Sequence, residues 1–201
     1  MSINILLDSL PETVTVDGKE YFLDTDFRTC IIFEKLTNDN SINSSEKIHS
    51  ILDLFFTDEQ PANVKSAVKE ILHFYNCDTL ENIPEREIKK NGDVEIKPKM
   101  IYDYDYDAPY IFAAFLSQYG VDLNEIEYLH WWKFQAMFKG LNDNHKIVEI
   151  MSYRATDLNS ISNKKERARI AKLQRIYAIP DNLTFEEKVA RAGASFGGGF
   201  G

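Results

Sequence analysis

The most regular spacing of acidic side chains lies near the middle of the chain, where aspartate and tyrosine alternate. The aspartates are Asp103, Asp105 and Asp107. Carboxylates at alternate positions also open the calcium loop of an EF-hand, which needs glycine at its sixth position and a bidentate glutamate at its twelfth. Ala108 and Ala114 occupy those two positions. We therefore predict no metal here, and keep a metal-dependent enzyme that uses the three aspartates as an alternative.

A helix start gives the same residues a structural role. Asp107 is suited to cap a helix that follows it, because its carboxylate can accept a hydrogen bond from a free backbone N–H of the first turn. Pro109 suits that first turn, where its missing N–H has no helical partner to lose. The pattern predicts an acidic approach to a helix over residues 110–119.

The other patterns that carry catalytic chemistry are missing or out of context. No HExxH, GxGxxG or GxxxxGK[ST] occurs among the 201 residues, and the one GxSxG, at residues 193–197, lies in the glycine-rich tail, where no predicted strand precedes it and no predicted helix follows it. His130 precedes two tryptophans, and is either a catalytic base in an aromatic pocket or a buried, hydrogen-bonded position. We favour the buried position. The sequence predicts a protein that is not an enzyme, with no catalytic residue, no metal and no cofactor.

The charge balance opposes two classes of partner. The chain holds 23 lysines and arginines against 32 aspartates and glutamates, a net charge of -9. Such a chain is a poor candidate for binding nucleic acid or an anionic membrane. Its two cysteines exclude a disulfide-dense scaffold and a four-cysteine zinc module, and indicate free thiols in a reducing compartment.

One segment reverses the sign of the charge. Residues 163–175 carry a net +5, which leaves -14 on the rest of the chain. A nucleic-acid site is the weakest interpretation of this segment, because the charge of -14 opposes a polyanion. We favour a solvated helix face or a docking site for an acidic surface, of this chain or of a partner. The candidate contact residues in it are Lys164, Lys165, Arg167, Arg169 and Lys172.

The first 75 residues predict a β-hairpin followed by helices. Residues 13–16 and 19–23 are rich in β-branched and aromatic residues and are joined by Asp17-Gly18, a signature of a type I′ turn. Apolar residues then recur at helical spacing in three segments. We expect the first helix to be capped by Asp24 or Thr25, the second by Ser44 or Ser45, and the third to start at Pro61.

A charged stretch separates the two halves of the chain. Eleven of the 24 residues from 76 to 99 are charged, which is typical of a linker, and Asn91-Gly92 inside it predicts a second, exposed hairpin. We place the boundaries at 1–75, 76–101, 102–182 and 183–201, with one compact domain as the alternative. The last region begins with a short helix capped by Thr184 and ends in a glycine- and phenylalanine-rich tail that we expect to be disordered.

The second half predicts further helices over 110–119, 123–138, 146–156 and 164–177. The fold class is therefore mainly α, or α+β, with an N-terminal hairpin and a multi-helix bundle. The helix over 123–138 is apolar on all sides, which predicts burial on most of them. Trp131, Trp132 and Phe134 are candidate partner-binding residues in this helix, and burial of both indole rings would remove them from that set.

No segment predicts export or a membrane span. The first residues lack the charged start and long apolar run of a signal peptide. The longest apolar run, residues 110–116, is far shorter than the roughly 20 residues of a membrane-spanning helix. We expect the protein in the cytoplasm.

Three blocks in the second half resemble the bacteriophage tail-gene family catalogued as gene product fifteen. They are Tyr104–Leu123, Leu129–Leu141 and Lys146–Leu158, followed by the basic helix and the ending Tyr177–Asp181. The opening hairpin and the helix led by Phe27-Arg28 fit more loosely, so that the resemblance covers roughly residues 10–182.

The resemblance implies a protein of a long-tailed phage or prophage of Gram-positive bacteria, acting in the host cytoplasm. The family's gene typically lies just ahead of the tape-measure gene, where tail assembly chaperones are encoded. The implied partners are the tape-measure protein and tail-tube subunits, and self-association stays open. A structural tail component that remains in the virion is the alternative, and the family supplies no catalytic residues.

Overall fold

A computed structural model of the chain describes residues 3–39, 41–77 and 100–180. It confirms a mainly α fold with an N-terminal β-hairpin. The strands are β1 Thr13–Val16 and β2 Lys19–Phe22. The helices are α1 Phe27–Asn38, α2 Ser44–Phe55, α3 Val64–Tyr75, α4 Ala108–Tyr119, α5 Trp131–Lys139, α6 Lys146–Ala155 and α7 Lys164–Ile176, with a 3-10 helix at Leu158–Ser160 between the last two. None of these helices is long and apolar enough to span a membrane.

The hairpin forms where the Asp-Gly pair predicts it. β1 and β2 pair antiparallel, with Thr13 opposite Phe22 and Val16 opposite Lys19. Asp17 has φ of 50° and Gly18 has φ of 81°, the two positive values that a type I′ turn needs. Because residues other than Gly, Asn and Asp adopt positive φ with difficulty, the sequence determines this turn locally.

The first three helices begin close to the predicted caps, but on other residues. Asp26, Asn43 and Asn63 are the N-caps, and each accepts a hydrogen bond from a backbone N–H of the first turn. Asp24, predicted as the cap of α1, instead accepts from the N–H of Asp26 at 3.0 Å. Its carboxylate therefore forms the turn before the helix, and the helix start shifts by two residues.

The chain folds into two compact units that do not follow the predicted division at 76–101. The first contains the described residues up to 77 together with Phe112–Asn142, and the second contains residues 100–111 and 143–180. Helix α4 contributes to both, with its first turn in the second unit. Most of the predicted linker, its hairpin at Asn91-Gly92, the short helix from Thr184 and the glycine-rich tail lie outside the described residues.

Helix α5 is shorter than the predicted helix over 123–138. It starts at Trp131, and turns occupy the residues before it. Arg28 accounts for this difference, because its Nη2 donates to the carbonyls of Leu123 and Ile126 at 2.9 and 2.7 Å. Asp122 accepts from the N–H groups of Asn124 and Glu125, which also favours a turn over a helix.

A stack of aromatic rings forms the centre of the first unit. The ring of Phe134 stacks between those of Phe27 and Phe115, with centroids 5.0 Å from each. Trp131 lies 5.6 Å from Phe134 and 5.2 Å from Tyr75, again nearly parallel. The core of this unit therefore depends on packing between α1, α3, α4 and α5.

The tryptophans of α5 belong to that core. Trp131, Trp132 and Phe134 are 1%, 7% and 0% exposed. The indole N–H groups donate to backbone carbonyls at the end of α3, of Tyr75 at 2.7 Å and of Phe74 at 2.8 Å. Both rings are buried with their polar atoms paired, so the structure removes these three residues from the candidate partner-binding set.

Truncation of the central ring should destabilise the first unit. We expect Phe134→Ala to lower the free energy of unfolding by about 3–5 kcal/mol, because it opens a cavity among packed rings. Phe22→Ala is the matched control: its ring is 67% exposed, and its effect should stay within about 0.5 kcal/mol. Urea denaturation followed by tryptophan fluorescence measures both, and equal losses would contradict the assignment of the core.

Candidate protein-contact surface

A buried ion pair organises the second unit. Arg154 on α6 and Asp107 before α4 pair through both guanidinium Nη atoms, with Nη1 2.5 Å from Oδ2 and Nη2 3.0 Å from Oδ1. The two side chains are 4% and 0% exposed. This bidentate geometry satisfies both carboxylate oxygens with charged donors.

The same guanidinium holds two further segments. Its Nε donates to the carbonyl of Tyr177 at 2.7 Å, just beyond α7, and its Nη1 donates to the carbonyl of Ile101 at 3.0 Å. Arg154 therefore connects the start of the acidic segment, α6 and the end of α7. Removal of one partner of the ion pair would leave the other charge buried without compensation. The ion pair therefore holds the guanidinium in place, and its bond to Tyr177 fixes the end of α7.

The acidic segment has a structural role in this arrangement. The carboxylate of Asp107 accepts from Arg154 and from the N–H of Asp103 at 3.0 Å, while its own carbonyl accepts the first helical hydrogen bond of α4, from Ile111. Asp103 in turn accepts from the N–H groups of Asp105 and Tyr106. Asp107 precedes the helix as predicted, but its side chain is committed to Arg154.

The aspartates also do not converge on one point. Within residues 3–39, 41–77 and 100–180, no three His, Cys, Asp or Glu side chains are placed so that they could hold a metal ion. Asp103 and Asp105 lie in a turn, while Asp107 is buried against a cation. The described geometry therefore gives no support to the alternative of a metal-dependent enzyme.

Local contacts at both ends position α7. Its N-cap Asn163 accepts from the N–H groups of Lys165 and Glu166. Ile170 is buried at 6% exposure on the side that packs on α6. Near the other end, the Nε2 of Gln174 donates to the carbonyls of Tyr153 and Thr156 at 2.8 Å each. The orientation of α7 is thereby fixed, and so is the direction in which its charges point.

Two of the predicted contact residues bond within the helix region. Arg169 pairs with Glu166, with Nη2 2.7 Å from Oε1 and Nε 2.9 Å from Oε2. Arg167 donates from Nε and Nη2 to the carbonyl of Ile161. Both side chains are exposed, but the donors named here already bond to groups of this chain.

The remaining cations share one exposed side of the helix. At 100° per residue, the side chains of Lys164, Lys165, Lys172 and Arg175 fall within an arc of about 100° around the helix axis. Lys164 and Arg175 are about 16 Å apart along that axis. Ala168 lies inside this arc, and Ile176, 54% exposed, lies at its edge. Among the described residues none of these cations forms an ion pair. We call them the α7 face: Lys164, Lys165, Lys172 and Arg175, with Ala168 and Ile176.

His130 lies in the first unit and has a structural role. It is the N-cap of α5: its Nδ1 accepts from the N–H of Trp132 at 3.1 Å. Its Nε2 therefore carries the proton and donates to the carbonyl of Pro11 at 3.1 Å. Burial lowers the pKa of this imidazole, as does the nearby cation Lys133, against the opposing effects of the Pro11 carbonyl and Glu12. The neutral ring is the form that both hydrogen bonds require.

Sequence analysis missed Arg154, which the second unit depends on. A signal was present: Arg154 lies seven residues after Ile147 and four after Ile150, on the apolar side of α6. A single charge on such a side indicates a buried partner. The identity of the partner, 47 residues away in the chain, depends on the tertiary fold.

The described elements define the class of the protein, mainly α with an N-terminal β-hairpin and an exposed cationic helix face. Residues 6–179 match the model of the family described as Bacteriophage Gp15 protein, and the chain belongs to this family. The resemblance inferred from the sequence blocks is thereby confirmed. No curated protein and no solved structure matches the chain.

Separation of the buried pair should be costly. We expect Arg154→Met to lower the free energy of unfolding by about 3–5 kcal/mol, because the Asp107 carboxylate is left buried without its partner. The double variant Asp107→Asn/Arg154→Met should lose less than the sum of its single variants in urea denaturation. Arg169→Met, which breaks an exposed pair, should show no measurable loss. Additive effects at 107 and 154 would contradict the coupling.

His130 should make stability fall as pH decreases. Its folded pKa lies below the unfolded value of about 6.5, so its contribution is complete above that value and is lost as pH falls through it toward the folded pKa. His130→Asn keeps an N-cap acceptor and removes the titration. Urea midpoints from pH 7.5 to pH 5 should therefore fall less steeply in the variant than in the native protein. Parallel slopes would refute this role.

Proposed function

We propose that this phage protein is a non-enzymatic tail assembly chaperone that binds the tape-measure protein while the tail is built. The observation that carries the proposal is the family match over residues 6–179. Resemblance to this family implies a gene next to that of the tape-measure protein, and hence a role in tail assembly. Tail-tube subunits are the second partner that this role implies.

Exposed apolar side chains support a contact with a long amphipathic helix. Leu6 and Leu7, in the turn before the hairpin, are 87% and 82% exposed, and Phe22 on β2 is 67% exposed. Contiguous exposed apolar patches mark interaction sites, and we propose that these side chains contribute to one. An amphipathic helix that lays its apolar side on them would bury area on both chains. We assign the tape-measure contact to this part of the first unit.

Co-expression tests the proposal. A tagged copy of this protein should co-purify with the tape-measure protein and raise its soluble yield. Leu6→Glu/Leu7→Glu should reduce the co-purified amount about tenfold or more, because each leucine would contribute roughly 1.5–3 kcal/mol when buried. Val64→Glu, at a 40% exposed position of the same unit, is the matched control and should leave capture unchanged. Failure to capture or solubilise the tape-measure protein would refute the proposal.

Mass spectrometry of purified phage particles separates the chaperone from the alternative. A chaperone should be missing from mature virions and present in lysates collected during assembly. Recovery of the protein from virions in amounts comparable to a tail component would instead show a structural role.

A further inference from the structure

The first unit is acidic, and the second unit carries a local cationic face. The described residues of the first unit hold 16 acidic and 8 basic residues. In the second unit, the α7 face carries four cations with no described ion-pair partner. A cationic face without a local anion is free to attract one from another molecule, since its charges are not already neutralised.

An acidic surface of matching charge lies in the first unit around Tyr128. This ring is 48% exposed, and its hydroxyl lies 2.6 Å from the Oγ1 of Thr25. Hydrogen bonds place three acidic residues near it: Asp26 accepts from the N–H of Leu129 at 3.1 Å, Asp24 accepts from the N–H of Asp26 at 3.0 Å, and the carbonyl of Glu12 accepts from the N–H of Leu23 at 2.9 Å. Glu127 is exposed and adjacent in the chain. We call these residues the Tyr128 patch: Glu12, Asp24, Asp26, Glu127 and Tyr128.

We propose that the α7 face of one copy of this protein docks on the Tyr128 patch of a second copy. Four cations would meet four carboxylates, of which Asp26 is already paired with Arg28. Ala168 lets the helix backbone approach closely, and Ile176 and Tyr128 are half-exposed side chains that can supply apolar contact. Arg28 pairs with Asp26 and donates to two backbone carbonyls, which leaves Glu12, Asp24 and Glu127 as the anions that the α7 face would meet.

The geometry of this contact makes it repeatable. The two surfaces are different, so each copy keeps one of them free after the first contact forms. Contacts between unlike surfaces generate rings or open chains of copies rather than closed dimers. Because exposed charges carry it, the association should weaken as salt shortens the screening length. The apolar residues assigned to the tape-measure contact belong to neither surface, so the two bindings can be tested separately.

The charge distribution favours a second copy over a nucleic acid as the occupant. A polyanion approaching the α7 face would also meet the repulsive field of a chain with net charge -9. A second copy carries the same net charge, but it would meet the α7 face with the Tyr128 patch, whose exposed ring can also contact Ile176. Nucleic acid binding is therefore the outcome that would overturn the proposal.

Sedimentation velocity of the full chain tests the contact. Native protein should form species larger than the monomer as its concentration rises, and an increase from about 25 to 300 mM NaCl should weaken the association about tenfold. Lys165→Glu/Lys172→Glu brings the α7 face to zero charge and should weaken it at least tenfold. Lys65→Glu/Lys69→Glu on α3 makes the same change in net charge at exposed positions outside both surfaces, and should retain association.

A mixing experiment tests which surfaces meet. Glu12→Lys/Glu127→Lys neutralises the Tyr128 patch and should also leave monomers on its own. Mixed with the α7 variant, it should give a 1:1 complex and nothing larger, because the mixture holds one intact face and one intact patch. Circular dichroism spectra should confirm that every variant keeps the native helix content, and Lys165→Gln/Lys172→Gln replaces the α7 variant if that variant does not.

Three results would overturn the proposal. One is native protein that stays monomeric at all concentrations and salts. Another is an equal loss of association in the α7 and α3 variants, which would show a general charge effect. The third is monomeric protein that binds labelled single-stranded DNA through Lys165 and Lys172, which would assign the α7 face to nucleic acid. None of these results depends on capture of the tape-measure protein.

Discussion

The second unit depends on one guanidinium that is removed from water. Burial of an arginine and an aspartate costs several kcal/mol of desolvation for each ion, which mutual attraction offsets only when the remaining donors and acceptors are also satisfied. Arg154 meets this condition through two carboxylate oxygens and two backbone carbonyls. The carbonyls belong to segments that are distant in sequence. The pair therefore contributes less as a source of net stability than as a constraint that permits one arrangement of these segments.

In the first unit, buried aromatic side chains also need hydrogen-bond partners for their polar atoms. Trp131 and Trp132 provide large apolar surfaces, but each indole also buries an N–H group that must find an acceptor. The end of α3 supplies the carbonyls of Tyr75 and Phe74. His130 caps the same helix and bonds to Pro11 near the hairpin. The aromatic residues that looked like a binding surface are thus the point where α3, α5 and the N-terminal segment are joined.

Local signals in the sequence predict the elements better than their ends. Asp17-Gly18 determines the hairpin because few other residues adopt positive φ, and the 3.6-residue period identifies the helices. The start of α5 could not be predicted in this way, since Arg28 takes the carbonyls of Leu123 and Ile126 from nearly 100 residues away. The grouping of Phe112–Asn142 with the N-terminal elements has the same origin in contacts distant along the chain.

The charged helix shows most clearly what the structure adds to the sequence. The sequence predicts a basic segment and leaves open whether its charges are solvated, satisfied within the chain or offered to a partner. The structure divides them: Arg167 and Arg169 bond to groups within or next to their own helix, while the four cations of the α7 face point away from the side that Ile170 and Gln174 fix. This division depends on Arg154, because it holds the end of α7 through Tyr177. A buried charge pair therefore sets the direction of an exposed charged surface, and any partner of α7 must approach on the side that this constraint leaves open.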